Sequence, residues 1–357
     1  MMEDAAQNLA SLVDQHGIKA LVGNLETEVS TLSVGDWTIP VSRNDGLRRT
    51  CYINSPSRAF LDYGAEELDR LTANPLARIG GRGLLATMNP IVKATGLDRQ
   101  IQLNNWLVAT NILPPASAEE WLRLFDSVSA NEGNFVPVLR SVNQTAHSGL
   151  LAAFEAADLT LFPLRKVFLR DYAVAQEWTS DEAKDAKLLS DQRFEQRGGD
   201  TFSKAEFGRA AELYGQLYLE KYSRLNPHYS ATFLEVAQMR LGLRLDGLFD
   251  TSGDMVGVIG RYQQHGTLTG PIVGYDTGLP AKLGLYRRLR AINHGFARRG
   301  NHLYNMSAGA EGFKKLRGGR ATIEYMVADF RRAKSSQRRA AKVLSGLCQW
   351  AAKQIIT

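Results

Sequence analysis

The order of periodicities between residues 203 and 330 leaves few folds open. Ser203-Lys204-Ala205-Glu206 is a capping box, in which Ser203 and Glu206 satisfy the first free N–H groups of a helix. Phe207, Ala211, Tyr214, Tyr218 and Tyr222 then recur every three or four residues and give that helix a buried face. A second helix is expected over 231–241. Residues 243–249 and 255–262 read as strands joined by Thr251-Ser252-Gly253-Asp254, with a third strand over 269–275. Helical spacing returns over 279–299 through Leu285, Leu289, Ile292 and Phe296, and Gly300 ends it. A strand over 302–306, a short helix over 309–316 and a strand over 321–330 follow. The last helix places Leu344, Leu347, Cys348, Ala351 and Ile355 on one face.

The first half reads as a similar alternation. A helix over 1–22 is followed by two strands, WTIPVSRND and TCYINSP, around an Asn44-Asp45-Gly46 turn. Helical spacing over 57–71, a strand over 104–112, a helix over 119–130 and the strand FVPVLRS come next. A helix over 148–157 and a strand over 161–171 complete this half. Gly80-Gly81-Arg82-Gly83 reads as a turn, and the polar stretch 172–202 as a connection. The expectation is an α/β (α+β) chain of two units, 1–172 and 203–357, joined by 173–202.

At 357 residues the length suits two domains. No run of apolar residues is long enough to span a bilayer, and the N-terminus lacks the pattern of a signal peptide, so a cytoplasmic protein without a membrane role is expected. Cys51 and Cys348 are the only cysteines, too few for a disulfide framework or a thiolate zinc site, and Cys51 reads as a buried thiol. The histidines show no metal-binding spacing. The chain also lacks G-x-S-x-G, P-loop and G-x-G-x-x-G motifs, which argues against hydrolase, NTPase and dinucleotide-binding chemistry. Charge is uneven: residues 282–342 carry 16 Lys/Arg against three acids, leaving 27 against 34 on the rest. Such a segment suits a polyanionic partner, although solvated basic helix faces would give the same count.

The order of elements resembles the GNAT acyltransferase fold, and 271–330 resembles its Fem-type branch. The matching pieces are Gly274-Tyr275-Asp276, Arg299-Gly300, Asn305-Met306-Ser307-Ala308-Gly309, Phe313-Lys314 and Glu324-Tyr325. NNWLVATN, FVPVLRSVN and KVFLRD mark a degenerate partner, so two tandem GNAT-like domains are implied, each a mixed, mainly antiparallel sheet flanked by helices. The Arg/Gln-x-x-Gly-x-Gly/Ala phosphate turn of coenzyme-A-dependent members is replaced by GYDTGLPAKLG, where Pro280 lacks an N–H. The resemblance therefore points to aminoacyl-tRNA or an acyl-carrier protein as donor, with no tightly bound cofactor and an amine of a small molecule or peptide as acceptor.

The resemblance makes Lys314 the group at the donor's terminus and its developing negative charge. Arg317 stands where the family pattern has an aromatic residue. Phe313, Lys315, Arg317, Asn305, Arg287 and Arg288 are the expected donor contacts. Tyr304 or Ser307 would donate to the leaving group, and Asp276 would position or deprotonate the amine. Tyr304 and Ser307 also suit core and capping roles, and Asp276 a turn cap. Glu324 and Tyr325 face opposite sides of their strand, and Asp246 needs a partner if buried. The leading expectation is an acyltransferase acting in biosynthesis. A coenzyme-A-dependent N-acetyltransferase and a non-catalytic binder of RNA or a carrier protein are the alternatives.

Overall fold

The computed structural model describes residues 3–47, 51–66 and 75–356. Eleven strands form one mixed sheet in the order β1-β2-β3-β4-β11-β5-β10-β9-β8-β7-β6. The first half supplies β1 Glu28–Val34, β2 Trp37–Asp45, β3 Arg99–Leu103, β4 Val136–Asn143 and β5 Thr160–Asp171. The rest are β6 Glu195–Gly198, β7 Arg244–Phe249, β8 Met255–Gln264, β9 Thr267–Tyr275, β10 Leu303–Asn305 and β11 Arg320–Ala328. Among the described residues only β3–β4 and β9–β10 pair in parallel.

Eleven α-helices flank the sheet among the described residues. They are α1 Glu3–His16, α2 Ile18–Leu21, α3 Pro75–Thr95, α4 Ala118–Asn131, α5 Ser148–Ala156 and α6 Ser180–Leu188, followed by α7 Lys204–Gly215, α8 Ala231–Arg240, α9 Leu285–Arg299, α10 Glu311–Leu316 and α11 Ser335–Ile356. None of the described helices is long and apolar enough to cross a membrane. The expected capping box is formed, with Ser203 accepting from the Glu206 N–H and Glu206 from the Ser203 N–H.

Apart from residues 46–98, which insert α3 between β2 and β3, residues 28–171 and 244–328 repeat one pattern: three strands, a helix, a strand, a helix and a strand. The last strand of each repeat is exchanged. β11 lies between β4 and β5, while β5 lies between β11 and β10. A single apolar core joins Leu9, Cys51, Trp106 and Leu107 to Leu213, Phe233, Val258 and Ile272, so both halves bury the same surface. Burial pushes the Cys51 thiol up to about 12, as expected of an inert core cysteine.

Several local expectations are corrected. Strand β3 stops at Leu103, because Asn104 and Leu107 adopt left-handed conformations (φ 52° and 60°) that a strand cannot contain. Residues 104–112 are instead a loop tied by side-chain amides: Asn104 donates to Ile112 O, Asn105 to Ser42, and Asn111 accepts from the Trp106 N–H. TCYINSP is irregular over its described residues, with Tyr52 N bonded to Leu225 O across the chain. Gly80–Gly83 lies inside α3, whose Met88 and Val92 pack on α11 through Leu344 and Cys348. Of the helix expected over 57–71, residues 58–63 are π-helical and 67–71 lie outside the described residues. The stretch 172–202 is built rather than linking: it holds α6 and the edge strand β6.

Asp246, buried on β7, has the partner it needs in Arg261 of β8. Glycine at 274 has a steric cause, since a Cβ there would lie 2.4 Å from backbone atoms of Leu213 and Tyr214 on α7. Gly274→Ala is expected to destabilise the protein by about 1–3 kcal/mol, because the obstacle is main chain and cannot rotate away. Urea unfolding checks this. A midpoint equal to the parent's would show that α7 does not press on β9.

Candidate active site at the parting of β9 and β10

β10 pairs with β9 for three residues only, Leu303 with Thr267, Tyr304 with Leu268 and Asn305 with Thr269. Past that point the register of β9 against β8 shifts between Gly260 and Tyr262, and β9 runs on to Tyr275 without β10. Beyond Thr269 the edge of β9 therefore loses its β10 partner, which opens the hydrogen-bond ladder of the sheet at this point.

Polar side chains of α9 cover one side of this opening. Arg290 donates to the Tyr304 hydroxyl at 3.2 Å, to Tyr286 at 3.2 Å and to Met306 O at 3.3 Å. Asn293 is fully buried, and neither amide atom has a partner. A Cβ at Gly270 would lie 2.8 Å from Asn293 Nδ2 and 3.4 Å from the Tyr304 oxygen, so only glycine leaves that space open. A buried unpaired amide costs stability, which makes Asn293 the clearest mark of a ligand site here.

The far side is a turn with left-handed residues at Ser307 (φ 62°), Gly309 (77°) and Ala310 (49°). Lys314 holds it: its Nζ donates to Ser307 O at 2.9 Å and Ala308 O at 2.6 Å. Burial, followed by the nearby charges of Arg290 and Arg165, keeps Lys314 well below the usual lysine range.

The first half reaches the same turn through a directed chain of hydrogen bonds. Arg165 on β5 donates to Thr110 at 2.8 Å, and Thr110 donates to the Ser307 hydroxyl at 3.1 Å. The Ser307 proton is thereby left to donate elsewhere. Arg165 also binds one oxygen of Glu324 at 2.8 Å, while the other Glu324 oxygen is buried without a partner. Aromatic residues crowd nearby. Tyr52 lies 4.8 Å from Tyr63, at the end of the π-helical 58–63 turn, and a second π-helical turn, Gln216–Tyr222, carries Tyr218 and Tyr222. Burial raises Tyr218 above the usual phenol range, opposed by the charge of Arg290.

The expected site residues divide into two groups. Lys314, Tyr304, Ser307 and Asn305 come together at the opening, with the Asn305 carbonyl accepting from the Ser307 N–H at 2.9 Å. Phe313 sits beside them, against Tyr286 (ring centroids 5.0 Å) and under Arg317. Asp276 is elsewhere: it pairs with Arg209 at 2.7 Å and caps the Gly278 N–H. Lys315 is on the surface with Glu311 at 2.7 Å.

Arg287 and Arg317 both bind Asp185 of α6, at 2.6 and 2.5 Å, and Arg288 binds Asp191 at 2.6 Å. These three arginines fasten α6 to α9 and α10, so part of the positive charge of 282–342 is neutralised inside the fold. Glu182 of α6 adds to this clamp, taking hydrogen bonds from Tyr172 at 2.5 Å and from Arg170 at 3.2 Å. Arg290, Asn293, Arg165, Thr110 and the free oxygen of Glu324 escaped the sequence reading. Their signals are faint: basic residues inside a basic run, and an Asn/Thr-rich loop with no periodicity.

No protein-family model and no curated protein matches the sequence. Among solved structures the chain is similar to the C-terminal domain of a putative lysylphosphatidylglycerol synthetase from Agrobacterium fabrum, at 12% identity and TM-score 0.46 over 65% of this chain and 79% of that one. It is similar to FemX at 8% identity and TM-score 0.48 over 64% and 80%. A tandem GNAT protein from the clavulanic acid biosynthesis pathway matches at 11% identity and TM-score 0.38 over 66% and 76%.

Proposed function

We propose that the protein is an acyltransferase that moves an acyl or aminoacyl group from an activated carrier to an amine at the parting of β9 and β10. The observation that carries this reading is the opening itself. It gathers a buried unpaired amide (Asn293), a guanidinium (Arg290), and two hydroxyls with free protons (Tyr304 and Ser307).

Acyl transfer to an amine requires loss of the amine proton, donors for the tetrahedral oxyanion and a proton for the leaving group. Arg290 and Asn293 supply donors in a buried setting, where they act more strongly than in water. Tyr304 accepts from Arg290 and keeps its own proton for the leaving group. The second oxygen of Glu324, buried without a partner and tied through Arg165 to this network, is suited to take the amine proton. Residues 203–357 would then hold the reaction centre, with 1–172 completing it through Thr110 and Arg165.

Support for a carrier other than coenzyme A comes from the turn before α9. Asp276 already occupies the Gly278 N–H, and Pro280 has none to give. Arg288 is committed to Leu283 O, Leu188 O and Asp191. Aminoacyl-tRNA and an acyl-carrier protein remain the favoured donors, and acyl-coenzyme A the alternative.

Arg290→Met and Tyr304→Phe test the reading. Each is expected to slow transfer by about 10²-fold or more, in kcat rather than KM, because each group acts on charge that develops in the transition state. Unchanged kcat in both variants would remove the opening as the reaction centre.

A further inference from the structure

Tyr304 faces α9 through Arg290, so its neighbours Leu303 and Asn305 face the other side of the sheet. There, a cavity of about 30 Å³ lies between β9, β10 and residues 110–113. Its volume suits one carbonyl-sized group. No Asp, Glu, Lys or Arg lines it.

Several of the polar groups that do line it are set as donors. Asn111 accepts from the Trp106 N–H at 3.0 Å, which fixes its amide and leaves Nδ2 buried without a partner. The Thr269 hydroxyl is likewise buried and unpartnered. His147 accepts from the Asn143 N–H through Nδ1, which puts its proton on Nε2, and burial lowers its pKa to about 4. Asn305 has its carbonyl engaged by Ser307.

Ile112 lines this cavity and also a larger adjoining pocket of about 370 Å³. Trp37 and His265 meet edge to face in that pocket at 4.5 Å, and Trp106 lines it beside them.

We propose that the two spaces together are an acceptor site for a molecule carrying an uncharged amide on a ring: the amide oxygen enters the small cavity against Asn111 and Thr269, and the ring rests on Trp37. In the small cavity a carboxylate would find no cation and an ammonium no carboxylate, since Asp36 lies only on the wall of the larger pocket, so either group would be desolvated there without compensation. Only the role as acceptor site rests on the transferase reading; the selectivity rests on the cavity.

Ligand-observed NMR titration of the full chain tests this with acetanilide and N-acetylglucosamine as neutral probes, and benzoate and benzylamine as charged ones. At least one neutral probe is expected to bind saturably, about tenfold or more tighter than either charged probe. Acetanilide alone binding identifies an aryl ring, and N-acetylglucosamine alone a sugar. Thr269→Val and Asn111→Asp should each weaken that binding by about tenfold, through loss of one buried donor. Asn111→Asp keeps the oxygen that Trp106 needs, and Thr269→Val keeps the volume should the first variant fail to fold. Equal binding of charged probes, no saturable binding of a neutral one, or unaltered affinity in the folded variants overturns the proposal. Transfer activity without amide binding would refute only the acceptor site, and amide binding without transfer only the transferase reading.

Discussion

Lys314→Met is expected to lower the rate of acyl transfer by about 10²-fold while leaving the protein folded. The Lys314 side chain is almost entirely buried. It ties Ser307 O and Ala308 O, and so fixes a turn with three left-handed residues at the edge of the opening. Methionine fills the same volume but donates nothing, and a shift of about 1 Å in the turn suffices for a loss of that size. The variant has a second signature in stability. Lys314 is held below its ordinary value, so between that depressed pKa and about 10.4 the unfolded chain binds more protons than the folded one. Stability from this group therefore rises with pH in that window, by at most about 1.4 kcal/mol per pH unit. Urea unfolding of both proteins from pH 7 to 10 should show a shallower rise in Lys314→Met. Parallel curves would mean that Lys314 carries its charge normally.

The second large effect belongs to the exchanged strands. Glu324 of β11 is fully buried and meets Arg165 of β5 at 2.8 Å, at the centre of the sheet. Glu324→Leu leaves Arg165 without its carboxylate, which is expected to cost about 3–5 kcal/mol. Removing both charges, in Arg165→Met/Glu324→Leu, should recover most of that loss, since a buried pair contributes little net stability over apolar groups of similar size. The double variant should nevertheless stay inactive, because both the chain to Ser307 and the free Glu324 oxygen are gone. A double variant that regains stability and activity together would show the pair to be structural only.

Much of the second half was legible because its signals are local. The capping box at Ser203, the helix face through Leu285 and Leu289, and Gly300 at a helix end each act within a turn or two of chain. Asp246 was legible as a residue in need of a partner, though not that Arg261 would supply it. The loop at 104–112 misled because its run Trp106-Leu107-Val108-Ala109 reads as a short buried strand, whereas asparagine side chains and two left-handed residues decide its path. Exchange of β5 and β11 has no local signature, since it depends on pairing between residues about 160 positions apart, such as Arg165 with Glu324. The ion pairs of the basic segment have no local signature either. Arg287, Arg288 and Arg317 read as contacts for a polyanion, and Asp185 and Asp191, about 100 or more residues earlier, hold them. Asn293 is the opposite case: nothing in its sequence context marks it, and only its burial without partners does.

The measurement that bears most directly on the acyltransferase reading is transfer to an amine mixture from three labelled donors: bulk aminoacyl-tRNA, an acylated carrier protein and acetyl-coenzyme A. Each is assayed at low and high salt with the parent protein and Arg290→Met. An N-acylated product from aminoacyl-tRNA or the carrier protein, weakened by salt and lost in Arg290→Met, is the expected result. Salt-sensitive RNA binding with no product from any donor would contradict it, and would leave a protein that binds without catalysing.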